Sequence, residues 1–176
     1  MIHQKEFYFI RHGQTDHNLK GLHTDHFDIP LNERGRQQAS DIERIVTSLP
    51  IQSVCFSPLK RAKETKEIIT SKLQAPHYEI ADLTECTGAV WLEMNRLGYD
   101  ALSKAQGPVQ AFLQQAKNGI NQALLQPGPV LVVAHGGIHW ALCCWMKVEH
   151  EWAIDNCVPV HFFLRPDKRW SAKKLS

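Results

Sequence analysis

The sequence predicts an α/β fold: a three-layer α/β/α sandwich on a mostly parallel sheet, forming one domain over residues 1–176. Its length of 176 residues fits a single domain. Its strand candidates, such as Phe7–Ile10 and Val130–Ala134, are apolar throughout, as expected for strands buried on both faces. Amphipathic helical stretches separate these strands, and this alternation is typical of a sheet covered by helices.

The first strand, Phe7–Ile10, is an aromatic and β-branched run. A polar stretch with Gly, Asn, Asp and Pro follows over Gln14–Pro30, and we expect a long functional loop there. Asn32 is placed to cap a helix. Apolar residues at helical spacing support that helix: Ala39, Ile42, Ile45, Val46 and Leu49.

The second strand is predicted at Ser53–Phe56. Ser57 then caps a helix, with Pro58 at its first position, where proline is well tolerated. Alternation indicates a weaker strand at about His77–Ala81, and the region from there to Tyr99 is expected to be irregular.

A Gly-Pro pair at 107–108 opens the next predicted helix. The clearest strand, Val130–Ala134, follows, and a helix is expected over Ile138–Met146. Pro159–Leu164 is predicted as the last strand, and Arg165–Ser176 as a basic, polar tail.

Composition excludes several classes of function. The chain has 20 basic and 18 acidic residues, a net charge of +2, so we expect neither a nucleic-acid nor a membrane partner. Its apolar runs are far shorter than the roughly 20 residues of a membrane span. The N-terminus does not resemble a signal peptide, which favours a soluble cytoplasmic protein. The five cysteines form no CxxC pair, and we expect Cys143 and Cys144 to be buried reduced thiols.

Charged and polar side chains follow three of the predicted strands. Arg11 and His12 come directly after the first strand, His135 and Gly136 after the strongest, and Arg61 shortly after the second. The carboxyl ends of parallel strands form the ligand-binding edge of such sheets. Two guanidiniums, two imidazoles and accessible backbone amides suit a tetrahedral dianion, and phosphate is the natural ligand.

Five ordered segments resemble the histidine phosphatase (phosphoglycerate mutase-like) superfamily. One such segment would be weak support, but an ordered set with four segments at predicted strand ends is specific, and the set covers most of the chain. The resemblance implies a phosphoglycerate mutase-like fold. The segments are FIRHGQTDHN at 9–18, PLNERGRQQA at 30–39, SPLKRAKET at 57–65, LTE at 83–85 and VVAHGG at 132–137.

The resemblance implies a covalent mechanism. His12 would be the nucleophile, attacking phosphorus to form a phosphohistidine. It must be neutral, and we expect a backbone carbonyl to hold its other ring nitrogen. Glu85 would protonate the leaving alkoxide and then accept a proton from the hydrolytic water.

The same resemblance assigns the phosphate contacts. Arg11, Arg61 and the catalytic His135 would balance the charge of the phosphoryl oxygens. Asn18 and the Gly136 amide would be neutral donors. Because the arginines supply the positive charge, we expect no metal and no cofactor.

The assignment of Glu85 has competitors. After it the family commonly has glycine, a polar residue, tryptophan, glutamate and glycine, whereas this chain reads CTGAVWLE. Glu93 and Asp82 are therefore alternative acids.

A metal site is a second alternative, in the first loop. His17, His23 and His26 lie near Asp25 and Asp28 there, and such residues can bind a metal. A polar substrate loop beside an anion pocket explains them more simply.

We therefore expect a metal-independent phosphatase acting on monoesters of small phosphorylated metabolites. Residues 86–134 leave room for only a small lid, which favours hydrolysis over phosphoglycerate mutase-type transfer. A candidate acid at Glu85 favours monoesters over a protein phosphohistidine phosphatase, because imidazole hardly needs protonation to leave. A phospho-ligand sensor without turnover is the non-enzymatic alternative. The physiological substrate and the oligomeric state are not predicted.

Overall fold

The sheet of the computed structural model has the spatial order β3-β2-β4-β1-β5-β6. The structure describes residues 1–22, 28–148 and 154–176, with Tyr99 described by its backbone alone. The strands are β1 (Phe7–Arg11), β2 (Ser53–Phe56), β3 (His77–Glu79), β4 (Val130–Ala134), β5 (Pro159–Leu164) and β6 (Trp170–Lys174).

Helices flank these strands. They are α1 (Asp16–Leu19), α2 (Glu33–Ser48), α3 (Lys60–Ile69), α4 (Gly88–Leu97), α5 (Ala101–Lys104), α6 (Gly107–Leu124) and α7 (Gly136–Met146). Two 3₁₀ turns, Ala81–Leu83 and Gly98–Asp100, connect them. Of the described helices, none has the length and apolar character needed to cross a membrane.

The central strands are parallel, as predicted. β4 pairs in parallel with both β1 and β2, and β2 pairs in parallel with β3. β5 and β6 run antiparallel along one edge. Arg11 lies beside Ala134, and Val133 lies beside Phe56. The carboxyl ends of β1, β4 and β2 therefore lie side by side, where we expected the phosphate site.

Side-chain alternation along the strands creates two apolar layers. Phe9 and Val132 pack into a cluster with α4, α6 and α7, while Ile10 and Val133 pack into a second cluster with α2 and α3. Successive side chains of a strand point to opposite faces, so the sheet is covered on both sides. The predicted three-layer sandwich is confirmed.

The predicted start of α3 is wrong by two residues. The helix begins at Lys60, and Leu59 rather than Ser57 occupies its N-cap position. The backbone N–H of Ser57 still donates to Val133 in β4 (3.1 Å), so this residue continues the sheet. The carboxylate of Asp28 accepts the N–H of Lys60 instead (2.7 Å).

α4 lies where we expected irregular chain. Thr87 caps it by accepting the N–H of Val90 (3.4 Å), and Val90 and Met94 are buried against the core. The helical spacing of these apolar residues could have predicted α4, but the glycines at the two ends of the helix, Gly88 and Gly98, argued against a helix.

The C-terminal segment is not a polar tail. Trp170–Lys174 forms β6, antiparallel to β5, and Trp170 packs edge-on against Phe7 with ring centroids 6.0 Å apart. Trp170 and Ala172, two residues apart in β6, both pack against the apolar cluster that contains Phe9. Side chains of β6 therefore alternate between the core and the opposite face, as expected for a half-buried strand.

Two smaller differences lie beside the site. The first loop contains a single helical turn, α1, where Thr15 and Asn18 form a reciprocal capping box. α7 begins at Gly136, two residues earlier than predicted. The prediction of Cys143 and Cys144 as buried thiols is confirmed, and burial raises the pKa of Cys144 to about 12.

Candidate active site

A pocket of about 330 Å³ opens at the edge where β1, β2 and β4 end. Six of the seven predicted site residues line it; the seventh, His135, is buried with its ring centroid 5.2 Å from that of His12. We call Arg11, His12, Arg61 and His135 the phosphate cradle. The pocket is lined by Arg11, His12, Gln14, Asn18, Gly21, Leu22, Arg61, Glu85, Cys86, Trp91, Gly136, Ile154 and Asn156.

The two nitrogens of His12 have different partners. Nδ1 lies 2.7 Å from the carbonyl oxygen of Gly13, as the sequence predicts, so Nδ1 carries the proton and donates it. Nε2 therefore presents a lone pair, and it accepts the Nε–H of Arg61 at 3.2 Å. Burial, then the charges of Arg61 and Arg11, lower the pKa of His12 well below its ordinary value. His12 is a neutral imidazole with its basic nitrogen toward an arginine.

Close backbone packing fixes the loop that carries His12. A Cβ on Gly13 would overlap the carbonyl of Gly35 at the start of α2, and a Cβ on Gly35 would overlap the backbone of Gln14. Thr65 adds a second tie, because its Oγ1 accepts the N–H of Gly13 (2.9 Å) and donates to the carbonyl of Arg61 (2.7 Å). The packing roles of Gly35 and Thr65 were missed, although both lie in segments that resemble the family.

Each guanidinium has one nitrogen held by a hydrogen bond and another without a partner among the described residues. Arg11 donates from Nη1 to the carbonyl of Ile154 (2.7 Å). Arg61 is 2% exposed. Burial lowers the pKa of both, with Glu85 the largest opposing influence. An arginine still stays protonated at neutral pH.

His135 is neutral as well. Its Nε2 lies 2.7 Å from the Oγ of Ser57. Burial, then Arg61, His12 and Arg11, lower its pKa well below the ordinary value. The sequence led us to count His135 among the groups that balance phosphate charge, and its contact with phosphate stays a prediction. Because its pKa is lowered, the positive charge of the cradle lies on the arginines.

Three cradle nitrogens are buried without a hydrogen-bond partner among the described residues: Arg11 Nε, Arg61 Nη1 and His135 Nδ1. Each such group costs about 1–3 kcal/mol when it is buried unsatisfied. One tetrahedral oxyanion could accept from all three, which is why we regard the cradle as an anion site. The remaining atom of this kind is the Oγ of Ser53 in β2.

Among the described residues that line the pocket, Glu85 is the one carboxylic acid. Its two carboxylate oxygens accept the N–H of Gly137, in the first turn of α7, at 3.1 and 3.2 Å. Both competing acids lie elsewhere. Glu93 forms an exposed ion pair with Arg96 (2.6 Å), and Asp82 accepts from Gln122 (3.2 Å) and does not line the pocket.

Asn18 and Gly136, the predicted neutral donors, both reach the pocket. Gly136 is the first residue of α7, where backbone amides are suited to anions. The Oδ1 of Asn18 accepts the N–H of Thr15 (3.2 Å), so its amide hydrogens are directed elsewhere. Asn156 was missed: its Nδ2 donates to the carbonyl of His12 (2.7 Å) and to Asn18 (3.4 Å).

The metal alternative gains no support. In residues 1–22, 28–148 and 154–176, no three His, Cys, Asp or Glu side chains could share a metal ion. Asp28 caps α3. His23, Asp25 and His26 lie outside the described residues.

Known proteins of similar sequence include phosphatases. The uncharacterized phosphatase PhoE of Bacillus subtilis is 33% identical over 141 residues, which cover 76% of this chain and 72% of that protein. The adenosylcobalamin/alpha-ribazole phosphatase of Salmonella typhimurium is 30% identical over 84 residues, or 48% of this chain and 42% of that one.

Solved structures confirm the fold. A putative alpha-ribazole-5'-P phosphatase from Escherichia coli superposes with a TM-score of 0.73 at 23% identity, covering 97% of this chain and 96% of that one. A mycobacterial glucosyl-3-phosphoglycerate phosphatase gives 0.71 at 19% identity, with 98% of each chain covered. The family model of the histidine phosphatase superfamily (branch 1) matches residues 7–162, and the chain belongs to that superfamily.

Proposed function

We propose that this chain hydrolyses phosphate monoesters through a phosphohistidine on His12. One observation carries the proposal: the neutral His12 presents its basic Nε2 beside three buried nitrogens that have no hydrogen-bond partner among the described residues. These nitrogens are placed to hold phosphoryl oxygens, and a neutral imidazole nitrogen is a competent nucleophile. Family membership and the phosphatase relatives support this activity.

In the first step, the phosphoryl oxygens accept hydrogen bonds from the cradle and from the Gly136 amide. The Nε2 of His12 forms a bond to phosphorus while the ester P–O bond breaks. Glu85, in its protonated form, gives its proton to the departing oxygen, and the alcohol leaves. The arginines neutralise charge that would otherwise oppose the approach of the nucleophile.

In the second step, a water molecule attacks phosphorus on the phosphohistidine. Glu85, now a carboxylate, accepts a proton from this water. The P–N bond breaks and returns its electron pair to Nε2 of His12, which is again neutral. Inorganic phosphate then leaves the cradle, and the enzyme has regained its starting protonation.

The remainder of the pocket indicates the substrate class. Leu22, Trp91 and Ile154 present apolar surface, while Gln14 and Asn156 are neutral and polar. Apart from the two cradle arginines, the described lining residues include no lysine or arginine. We therefore propose small phosphorylated metabolites whose alcohol portion is uncharged. Two predictions from the sequence stay proposals: one domain over residues 1–176, which the single sheet supports, and a cytoplasmic location.

The test is hydrolysis of para-nitrophenyl phosphate in excess EDTA, comparing wild type with His12→Ala. Turnover that resists EDTA and disappears in the variant, together with a phosphohistidine trapped by rapid quenching, would support the proposal. His77→Ala is a matched control, since His77 is exposed on β3. Wild-type protein that binds vanadate without turning over any ester would favour the phospho-ligand sensor instead.

A further inference from the structure

Ser57 lies directly behind His135. Its side chain is 0% exposed, and its Oγ is 2.7 Å from the Nε2 of His135. The same oxygen accepts the backbone N–H of Leu59 at 3.3 Å. A hydroxyl that accepts on one side retains a rotatable hydrogen, so Ser57 can donate that hydrogen to Nε2.

The other nitrogen of His135, Nδ1, is buried in the cradle and has no hydrogen-bond partner in the described part of the chain. A neutral imidazole carries one hydrogen, and the nitrogen that lacks it presents a lone pair. A phosphoryl oxygen is only an acceptor, so it repels the lone pair and attracts the N–H. The contact is favourable only when the hydrogen is on Nδ1, which requires Nε2 to be the acceptor.

We propose that Ser57 is a positioning residue that donates its hydroxyl hydrogen to Nε2 of His135 and thereby fixes the neutral Nδ1–H tautomer that binds a phosphoryl oxygen. The proposal rests on the phosphate site described above. It makes His135 a neutral donor and leaves charge balance to Arg11 and Arg61. The serine also has a structural alternative: bonding the N–H of Leu59 at the start of α3, a role that does not depend on which nitrogen of His135 is protonated.

Nitrogen NMR on histidine-labelled protein with bound vanadate tests the tautomer directly. We expect His135 to show a hydrogen on Nδ1 and an unprotonated Nε2. A hydrogen on Nε2 alone would overturn the proposal, and so would hydrogens on both nitrogens, since His135 would then be a cation. The measurement needs no turnover. If no ester is hydrolysed, the proposed function fails while the tautomer is still decided.

Kinetics test whether Ser57 matters through His135. We expect Ser57→Ala to lower kcat/KM about 10²-fold, the effect of removing one oriented oxyanion donor, and to weaken vanadate inhibition in parallel. Ser53→Ala is the matched control: Ser53 is also 0% exposed and begins β2, the strand that Ser57 directly follows, but its hydroxyl has no hydrogen-bond partner among the described residues. Equal losses in the two variants would show a purely structural role and overturn the proposal.

Ser57→Cys is a second variant that keeps the test possible if Ser57→Ala does not fold. It nearly conserves shape but has a weaker donor, so its kcat/KM should fall between those of wild type and Ser57→Ala. If Ser57→Ala is unfolded at the assay temperature, Ser57→Cys is used to test whether the Ser57 hydroxyl sets the tautomer of His135. In that variant, full wild-type activity with the hydrogen still on Nδ1 would mean that the serine hydroxyl does not set the tautomer.

Discussion

The pocket has two sides that are built differently. The phosphate cradle projects from the ends of β1 and β4 and the first turn of α3, and protein hydrogen bonds hold Arg11, His12 and His135. On the opposite side, residues 84–87 form an acid loop whose Glu85 is half-buried and contacts the backbone N–H of Gly137. In the proposed mechanism this difference separates two tasks: the cradle is arranged in advance for phosphate, whereas the acid loop would face a variable leaving group and water.

The strongest way to break the cradle is Arg61→Lys. Lysine keeps the charge but loses both the Nε–H that reaches His12 and the Nη1 that has no partner in residues 1–22, 28–148 and 154–176. We expect kcat/KM for para-nitrophenyl phosphate to fall roughly 10³-fold, the upper range for one such donor. Lys63→Arg, on the outer surface of α3, is the control. A loss no larger than that of the control would mean that net charge suffices.

Acid should weaken the folded cradle. Both cradle histidines have a folded pKa well below their unfolded value. Their stabilisation is therefore complete above the unfolded pKa near 6.5 and decreases as the pH falls below it. Between pH 7.5 and 5.5 the pair should cost about 3 kcal/mol of unfolding free energy.

Urea unfolding at both pH values measures this loss. The His12→Asn variant should show about half of it, because one of the two histidines is gone. If the variant lost as much unfolding free energy between the two pH values as the wild type does, His12 would not be a neutral buried group.

Glu85→Gln examines the acid loop alone. Loss of the proton donor should slow hydrolysis of an alkyl phosphate about 10²-fold. With para-nitrophenyl phosphate, whose leaving group needs little protonation, phosphohistidine should accumulate and give a burst of nitrophenol. Glu93→Gln and Asp82→Asn are the matched controls. If either control instead reproduces these effects, that residue is the acid.

The smallest expected effect concerns the close packing of Gly35 against the loop that carries His12. In Gly35→Ala the new methyl would meet the backbone of Gln14, and overpacking of this kind costs about 2 kcal/mol. Gly128→Ala is the control, since its nearest neighbour lies at 3.6 Å. Thermal denaturation compares the two variants. Equal melting temperatures would show that the loop carrying His12 can move aside freely.

The cradle could be predicted from the sequence because its residues stand beside strong strand signals. Arg11 is the last residue of β1, whose other residues are all buried, and His12 follows it. His135 follows the wholly buried β4, and parallel pairing of the two strands brings these residues together. The role of Ser57 could not be predicted in the same way. Next to Pro58 it fits a helix cap, and only the register of β2 against β4 places its hydroxyl under His135.

Residues remote in sequence were harder to predict. α4 and β6 depend on tertiary burial of short apolar patterns that local glycines or charges conceal. Asn156 lies 144 residues from the carbonyl that it binds, and no local pattern links the two. Periodicity reports burial, and it says nothing about such single polar contacts.

Chain direction at the sheet edge has a consequence for this site. β5 runs antiparallel to β1, so it is the start of β5, rather than its end, that lies beside the pocket. The chain entering β5 accordingly supplies the Ile154 carbonyl to Arg11, Asn156 to His12, and the Cys157 N–H to the carbonyl of Arg11 (2.9 Å). Because β5 is reversed, the segment that leads into it forms one side of the pocket. A change in the number of residues between Ile154 and Pro159 would therefore displace the groups that hold Arg11 and His12.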